Sequence, residues 1–229
     1  MKAIEQFIER ISSLELPGVF NPYSDQCSLH DRKDGPAIRR ENLRGYLRAS
    51  ISTGVDSMWF GRDLGYRGGR RTGIALTDEA HLPLLAMLCD EKIERATNGY
   101  AVSERTATVV WGMIAEIGQL PFLWNAFPFH PHEVGDPMTN RTHSRNELEK
   151  IWDINQALLD LLQPNRFVAI GNDARSALAR QGLECEYVRH PSYGGQTEFT
   201  QGLRAIYHCD ISRNIRINDV TQQTLTFAD

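Results

Sequence analysis

The sequence predicts an α/β fold, a three-layer α/β/α sandwich around a central four-stranded parallel sheet. Two observations carry that expectation. Four short apolar runs each stop at a glycine or a polar residue, as strands buried on both faces do, and stretches of helical period lie between them. Strands that alternate with helices pair in parallel, with helices covering both faces. The chain has 229 residues, 41% of them hydrophobic, enough for a single domain over 1–229 with its own core.

The elements follow in order. Ile4, Phe7, Ile8, Ile11 and Leu14 recur at helical spacing, and Pro17-Gly18 ends that helix. After a polar stretch over 21–37, a second helix is expected over 38–49, with Leu43, Tyr46 and Leu47 on one side. Asp56-Ser57-Met58-Trp59-Phe60 is the first strand. Helical patterns then run from Leu84 to Arg95 and from Ser103 to Ile117. Pro121-Phe122-Leu123-Trp124 is the second strand, and it stops at Asn125. A helix from Ser144 to Leu162 opens with Ser144-Arg145-Asn146-Glu147, the spacing of a capping box. Phe167-Val168-Ala169-Ile170 is the third strand, and Asp173 to Gln181 a short helix closed by Gly182. Cys185 to Arg189 is the fourth strand, ending at His190-Pro191. The tail, 212–229, has only isolated apolar residues and is expected to be loosely held.

A formal charge of -4 excludes a chain that binds polyanions over its whole surface, so contact with nucleic acid requires a local patch. Arg39, Arg40, Arg44 and Arg48 form one cluster, which reads equally well as a solvated helix face. Arg62, Arg67, Arg70 and Arg71 form another around Asp63. No apolar run is long enough to cross a membrane, and the acidic start of the chain does not read as a secretory signal, so a cytoplasmic protein is expected. Cys27, Cys89, Cys185 and Cys209 lie too far apart for a paired-cysteine motif and read as free thiols.

In open α/β sheets ligands sit beyond the carboxyl ends of the strands, and three of the four strand ends here carry polar side chains. The first end reads Gly61-Arg62-Asp63-Leu64-Gly65-Tyr66-Arg67-Gly68-Gly69-Arg70-Arg71. Its glycines lack the spacing of a dinucleotide loop. Gly73-Ile74-Ala75-Leu76 follows, the second strand ends in Asn125-Ala126-Phe127-Pro128, and the fourth ends in His190-Pro191-Ser192. In this order the segments resemble the motifs of the uracil-DNA glycosylase superfamily, over residues 61–192. Gly61 to Gly65 is similar to its first motif, written GQDPYH in one branch and GEAPG in others. Residues 73–76 resemble its GLAF or GRPF segment, and residues 190–192 its HPS motif.

The resemblance implies a uracil-DNA glycosylase-like fold and a monofunctional enzyme that rotates uracil out of DNA and hydrolyses its glycosidic bond. Asp63 and His190 are then the catalytic pair, the carboxylate supporting water and the oxocarbenium-like sugar, the histidine the departing uracil anion. Arg62, Gly65, Leu76, Asn125 and Ser192 would form the base pocket, with Leu76 stacking on the base and Asn125 reading its Watson-Crick edge. Arg67, Arg70, Arg71, Arg141 and Tyr193 would face the DNA. Gly65 stands where the GQDPYH branch has a tyrosine, Leu76 where a phenylalanine is usual, and Tyr193-Gly194 where HPSPL has its wedge leucine.

The expected partner is uracil-containing DNA, bound by a monomer without cofactor. The cysteines that hold an iron-sulfur cluster in some branches are missing, so no cluster is expected. His130, His132 and His143 with Asp136 form only a partial metal pattern. In a stiff loop with Pro128, Pro131 and Pro137 they read instead, with Asn140-Arg141, as contacts to the DNA backbone. Two other readings stand beside this one: a uracil-DNA binding protein of the same fold with weak turnover, and a flavodoxin-like nucleotide-binding enzyme.

Overall fold

The computed structural model describes residues 2–209. The tail expected to be loose, 212–229, lies outside the described residues. Helix α1 (Lys2–Ser12) buries Ile4, Phe7, Ile8 and Ile11 on one face, and the amide of Asn21 donates to Ile11 O and Leu14 O, closing off its last carbonyls. Two-residue strand β1 (Val19–Phe20) leads to α2 (Gly35–Thr53), longer than expected at both ends because Pro36 occupies its first turn. Strand β2 (Ser57–Gly61) is followed by a single turn, α3 (Gly69–Thr72), then α4 (Leu82–Cys89) and α5 (Arg105–Ile117). Helix α4 stops well short of Arg95. Asp90 takes a left-handed conformation there and closes the helix, after which Asn42 pairs with the backbone of Glu94 through both ends of its amide.

Strand β3 (Phe122–Asn125) precedes β4 (His130–Pro131), which pairs antiparallel with β1. The helix expected over 144–162 is two helices, α6 (Arg145–Lys150) and α7 (Trp152–Leu162), broken where Ile151 is drawn into the core. The capping box at Ser144 and Glu147 is present in full. Strand β5 (Arg166–Ile170), α8 (Asn172–Arg180), β6 (Glu186–Val188) and α9 (Gln196–Tyr207) complete the described chain.

The main sheet is parallel throughout, in the order β3-β2-β5-β6. Phe122 stacks on Tyr46 of α2 at 4.5 Å and Trp124 meets Phe7 of α1 at 6.2 Å. Trp59, on the opposite face of β2, donates through its indole N–H to Tyr207 of α9 at 2.7 Å. Helices α1 and α2 therefore cover one face and α9 the other, and the aromatic residues of β2 and β3 fill both layers. All strands run the same way, so their carboxyl ends open on one edge. From β2 the chain crosses first to β3 and then back past β2 to β5, so the strand order reverses beside β2, where α/β sheets hold their ligands.

Candidate active site

The register of β2 and β3 sets Gly61 directly beside Asn125. The pairing continues past the strand ends, because Ala126 N–H donates to Gly61 O and Phe127 N–H to Arg62 O, each at 2.9 Å. Asn155 of α7 then fixes the turn from behind. It accepts from the Trp124 indole at 3.0 Å and donates to Ala126 O at 2.8 Å. The Asn125 side chain, held in this way, lies across Gly61, where any Cβ would overlap its Oδ1. Asn125 is only 2% exposed, yet its Oδ1 has no hydrogen-bond partner. A buried acceptor left unmatched costs about 1 to 3 kcal/mol, so it marks a place where a donor is missing.

Leu76 reaches the same spot. Its Cδ2 stands 3.1 Å from the Cβ position of Gly61, and its backbone is left-handed at φ 55°. A non-glycine residue held there stores about 1 to 3 kcal/mol of strain, which the fold keeps only where surrounding contacts impose it. Gly61, Leu76 and Asn125 thus build one wall from three segments.

Asp63 follows two residues after β2. Its carboxylate accepts from Arg62 Nε at 2.8 Å, and Arg62 also donates through Nη1 to Asp173 at 3.0 Å, in the first turn of α8. His143 approaches from the other side, with Nδ1 3.4 Å from Asp63 Oδ2 and its ring stacked on Phe127 at 5.0 Å. Neither His143 nor Asp173 was singled out from the sequence as a partner of Asp63. Asp173 follows the end of β5 and was open to the strand-end argument that found the other residues. His143 lies in a loop 80 positions from Asp63, and no local pattern links the two.

His190 follows β6 and packs on Gly171 after β5, where a Cβ would come within 3.1 Å of His190 Cβ and where φ is +91°. Glycine meets both demands. The Ser192 backbone N–H donates to His190 Nδ1 at 3.2 Å, and Ser192 Oγ lies 2.7 Å from the same nitrogen. An amide can only donate, so Nδ1 is an acceptor and the neutral ring carries its proton on Nε2. Burial, and then the nearby Arg62 guanidinium, hold the His190 pKa below its ordinary value, which keeps the ring neutral near pH 7.

The cationic residues divide differently from the sequence reading. Arg70 is 3% exposed and lies over the Phe20 ring at 3.9 Å; Arg71 is buried and paired with Glu79 at 3.0 Å. Neither reaches an open surface, because α3 turns them inward under the loop that carries Asp63. Arg141 is held by Glu147 at 2.6 Å and donates to Gly18 O and His132 O, pinning the loop before α6 instead of projecting from it. His130 is fully buried in β4, its Nδ1–H donating to Leu64 O at 2.7 Å, so it braces the Asp63 loop and cannot reach DNA. In the first arginine cluster, Arg39 is buried against Asp31, Arg44 pairs with Glu5 and Glu41, and Arg48 with Glu91. Arg67 is exposed and has no ion pair among the described residues, and Tyr193 stands 97% exposed on a left-handed backbone. Glu104 borders Gly65, its Oε1 3.6 Å from the Cβ position, an ordinary contact distance. Among the described residues no group of three or more His, Cys, Asp or Glu side chains is arranged to hold a metal ion.

No protein-family model matches the chain, and no curated protein sequence matches it. Among solved structures, wild-type SMUG2 from Pedobacter heparinus is similar in fold, with a TM-score of 0.60 and 14% identity over 90% of this chain and 95% of that one. The parallel sheet flanked by helices is the architecture this chain shares with it.

Proposed function

We propose that the chain is a monofunctional DNA glycosylase of the uracil-DNA glycosylase superfamily, releasing uracil from DNA by base flipping. The observation that carries this reading is the buried, unpartnered carbonyl of Asn125 beside Leu76 and Gly61, on the same carboxyl edge of the sheet as Asp63 and His190. An extruded uracil offers N3–H to that carbonyl and its O4 to the Asn125 amide. Cytosine presents an acceptor and a donor at the same two points and mismatches both. Leu76 lies against the face of the base.

Bond cleavage leaves negative charge on uracil and positive charge on the sugar. The His190 Nε2–H is a neutral donor, oriented from behind by Ser192, and suits the developing anion at O2. The Asp63 carboxylate, steadied by Arg62, suits the water and the oxocarbenium-like sugar. Residues 61–76, 124–128 and 190–193 contain no lysine, so no Schiff base forms and the strand stays intact after base release. Arg62, Arg67 and Tyr193 are the side chains best disposed to meet DNA.

The test is base release from oligonucleotides carrying one uracil, single-stranded or opposite guanine or adenine, followed by alkaline cleavage of abasic sites. Product is expected from the intact protein, with His190→Ala slower by about 100- to 1000-fold, the usual loss for one such donor. Uracil oligonucleotides that stay intact under all three conditions would refute the assignment.

A further inference from the structure

We infer that His143 is a positioning residue for Asp63, holding the carboxylate so that one oxygen is fixed and the other is free for water; this rests on the glycosylase reading above. Asp63 and His143 are each 7% exposed at the side chain, so water has little access to replace either group's partner. His143 Nδ1 is buried and makes no hydrogen bond within the protein. Its nearest acceptor is Asp63 Oδ2 at 3.4 Å, the oxygen that already accepts from Arg62 Nε. Both contacts fall on Oδ2, leaving Oδ1 without a donor from either side chain. The ring cannot swing away, because it stacks on Phe127 at 5.0 Å with the planes 24° apart, and Phe127 is tied through its N–H to Arg62 O. The loop after β2 is therefore held by two segments, the turn after β3 through its backbone and the loop between β4 and α6 through this ring. A carboxylate with one oxygen bonded by Arg62 and faced at 3.4 Å by the His143 ring loses rotational freedom before substrate arrives, and such preorganisation acts on the chemical step more than on binding.

Packing and donation are separable at this position. His143→Phe keeps a ring on Phe127 and removes the donor; His143→Asn removes the ring and returns an amide N–H close to the place of Nδ1. Single-turnover release of uracil and the Kd for uracil-containing DNA should be measured for both, alone and combined with Asp63→Asn. The Phe variant is expected to release uracil about 10- to 100-fold more slowly with Kd within threefold of the parent, the Asn variant to recover most of that rate, and the Phe substitution to add little once Asp63 is Asn. A Phe variant as fast as the parent, an Asn variant as slow as Phe, or losses that multiply with Asp63→Asn would overturn the inference and leave the glycosylase reading standing. A parent protein that releases no uracil overturns both.

Discussion

Asn125 is shaped by a conflict between stability and use. Its buried carbonyl has no donor within the protein, a cost of about 1 to 3 kcal/mol that the N3–H of a bound uracil would remove on the glycosylase reading. Asn125→Ala is therefore expected to leave the melting temperature unchanged or raise it by a few degrees, while uracil release falls at least 100-fold. A variant that melts well below the parent would show that the amide has a structural role. Asp63 differs, because its carboxylate already has partners. Asp63→Asn keeps the volume and removes the charge, so uracil-DNA binding should survive within about threefold while the single-turnover rate drops; an unchanged rate would assign water activation to another group. Beside Gly65 stands a neighbour that nothing local announces, the Glu104 carboxyl, contributed 39 positions later from the start of α5 and 3.6 Å from the Cβ position.

At the scale of elements, what was legible depended on whether the signal was periodic. The four parallel strands are where the apolar runs placed them, each within one or two residues at its ends; β2 and β3 are buried throughout and have no exposed position to blur them, while β6, with Glu186 and Tyr187 exposed, was marked by its ending at His190-Pro191. Helix α9 was not anticipated, although Phe199, Leu203, Ile206 and Tyr207 fall at helical spacing. Gly202 lets the helix approach β6, where a Cβ would meet Val188 Cγ1 at 2.9 Å. The β1–β4 pair is too short for any periodicity, and it carries the most consequential correction, His130. Burial pushes the His130 pKa down to about 4, so in the folded protein the ring stays neutral while in the unfolded chain it protonates below about 6.5. Its contribution to stability is complete above pH 6.5 and is lost as pH falls toward 4, since only the unfolded state gains the proton in that window. Denaturant melts between pH 7 and pH 4 should show stability declining steadily, with a shallower decline in His130→Gln, itself less stable at pH 7. Equal slopes would mean that His130 is protonated in the fold.

On the glycosylase reading, the question for the whole molecule is how a chain of net charge -4 would hold DNA at all. Most arginines that looked available are paired with carboxylates of the chain, Arg39 and Arg71 in the interior and Arg44 and Arg48 at the surface, and for Arg44 and Arg48 the partners Glu5 and Glu91 lie about 40 positions away, beyond any local pattern. That leaves a weak electrostatic grip and, on the same edge of the sheet, a tyrosine projecting into solvent beside His190. Extrusion costs a few kcal/mol of stacking and pairing, which an apolar side chain entering the gap offsets. Tyr193→Ala should therefore slow release from duplexes about tenfold or more while leaving single-stranded uracil little affected; equal losses on both substrates would place Tyr193 in the pocket and not in the gap.

The electrostatic grip can be counted directly. Each phosphate neutralised by a cationic side chain contributes about -0.9 to the slope of log K against log salt on duplex DNA. With Arg67 unpaired, Arg62 and Arg189 partly exposed, and the other arginines of the motif buried, two or three contacts are available, so the slope should lie near -2 to -3. Had Arg70, Arg71 and Arg141 also faced DNA, it would approach -5. Arg67→Ala is expected to flatten the slope by about one unit at unchanged stability. Arg71→Ala should do the reverse. It removes the nearer guanidinium partner of buried Glu79 and leaves Arg95 at 3.8 Å and the Val102 N–H, so the loss should fall at or below the lower end of the about 3 to 5 kcal/mol of a broken buried pair, without altering the salt slope of the protein that remains folded. Titration of a fluorescent uracil duplex from 50 to 200 mM salt, with thermal melts of the same variants, separates the two roles. A slope near -5, or one that Arg71→Ala flattens as much as Arg67→Ala does, would mean that α3 turns outward when DNA binds.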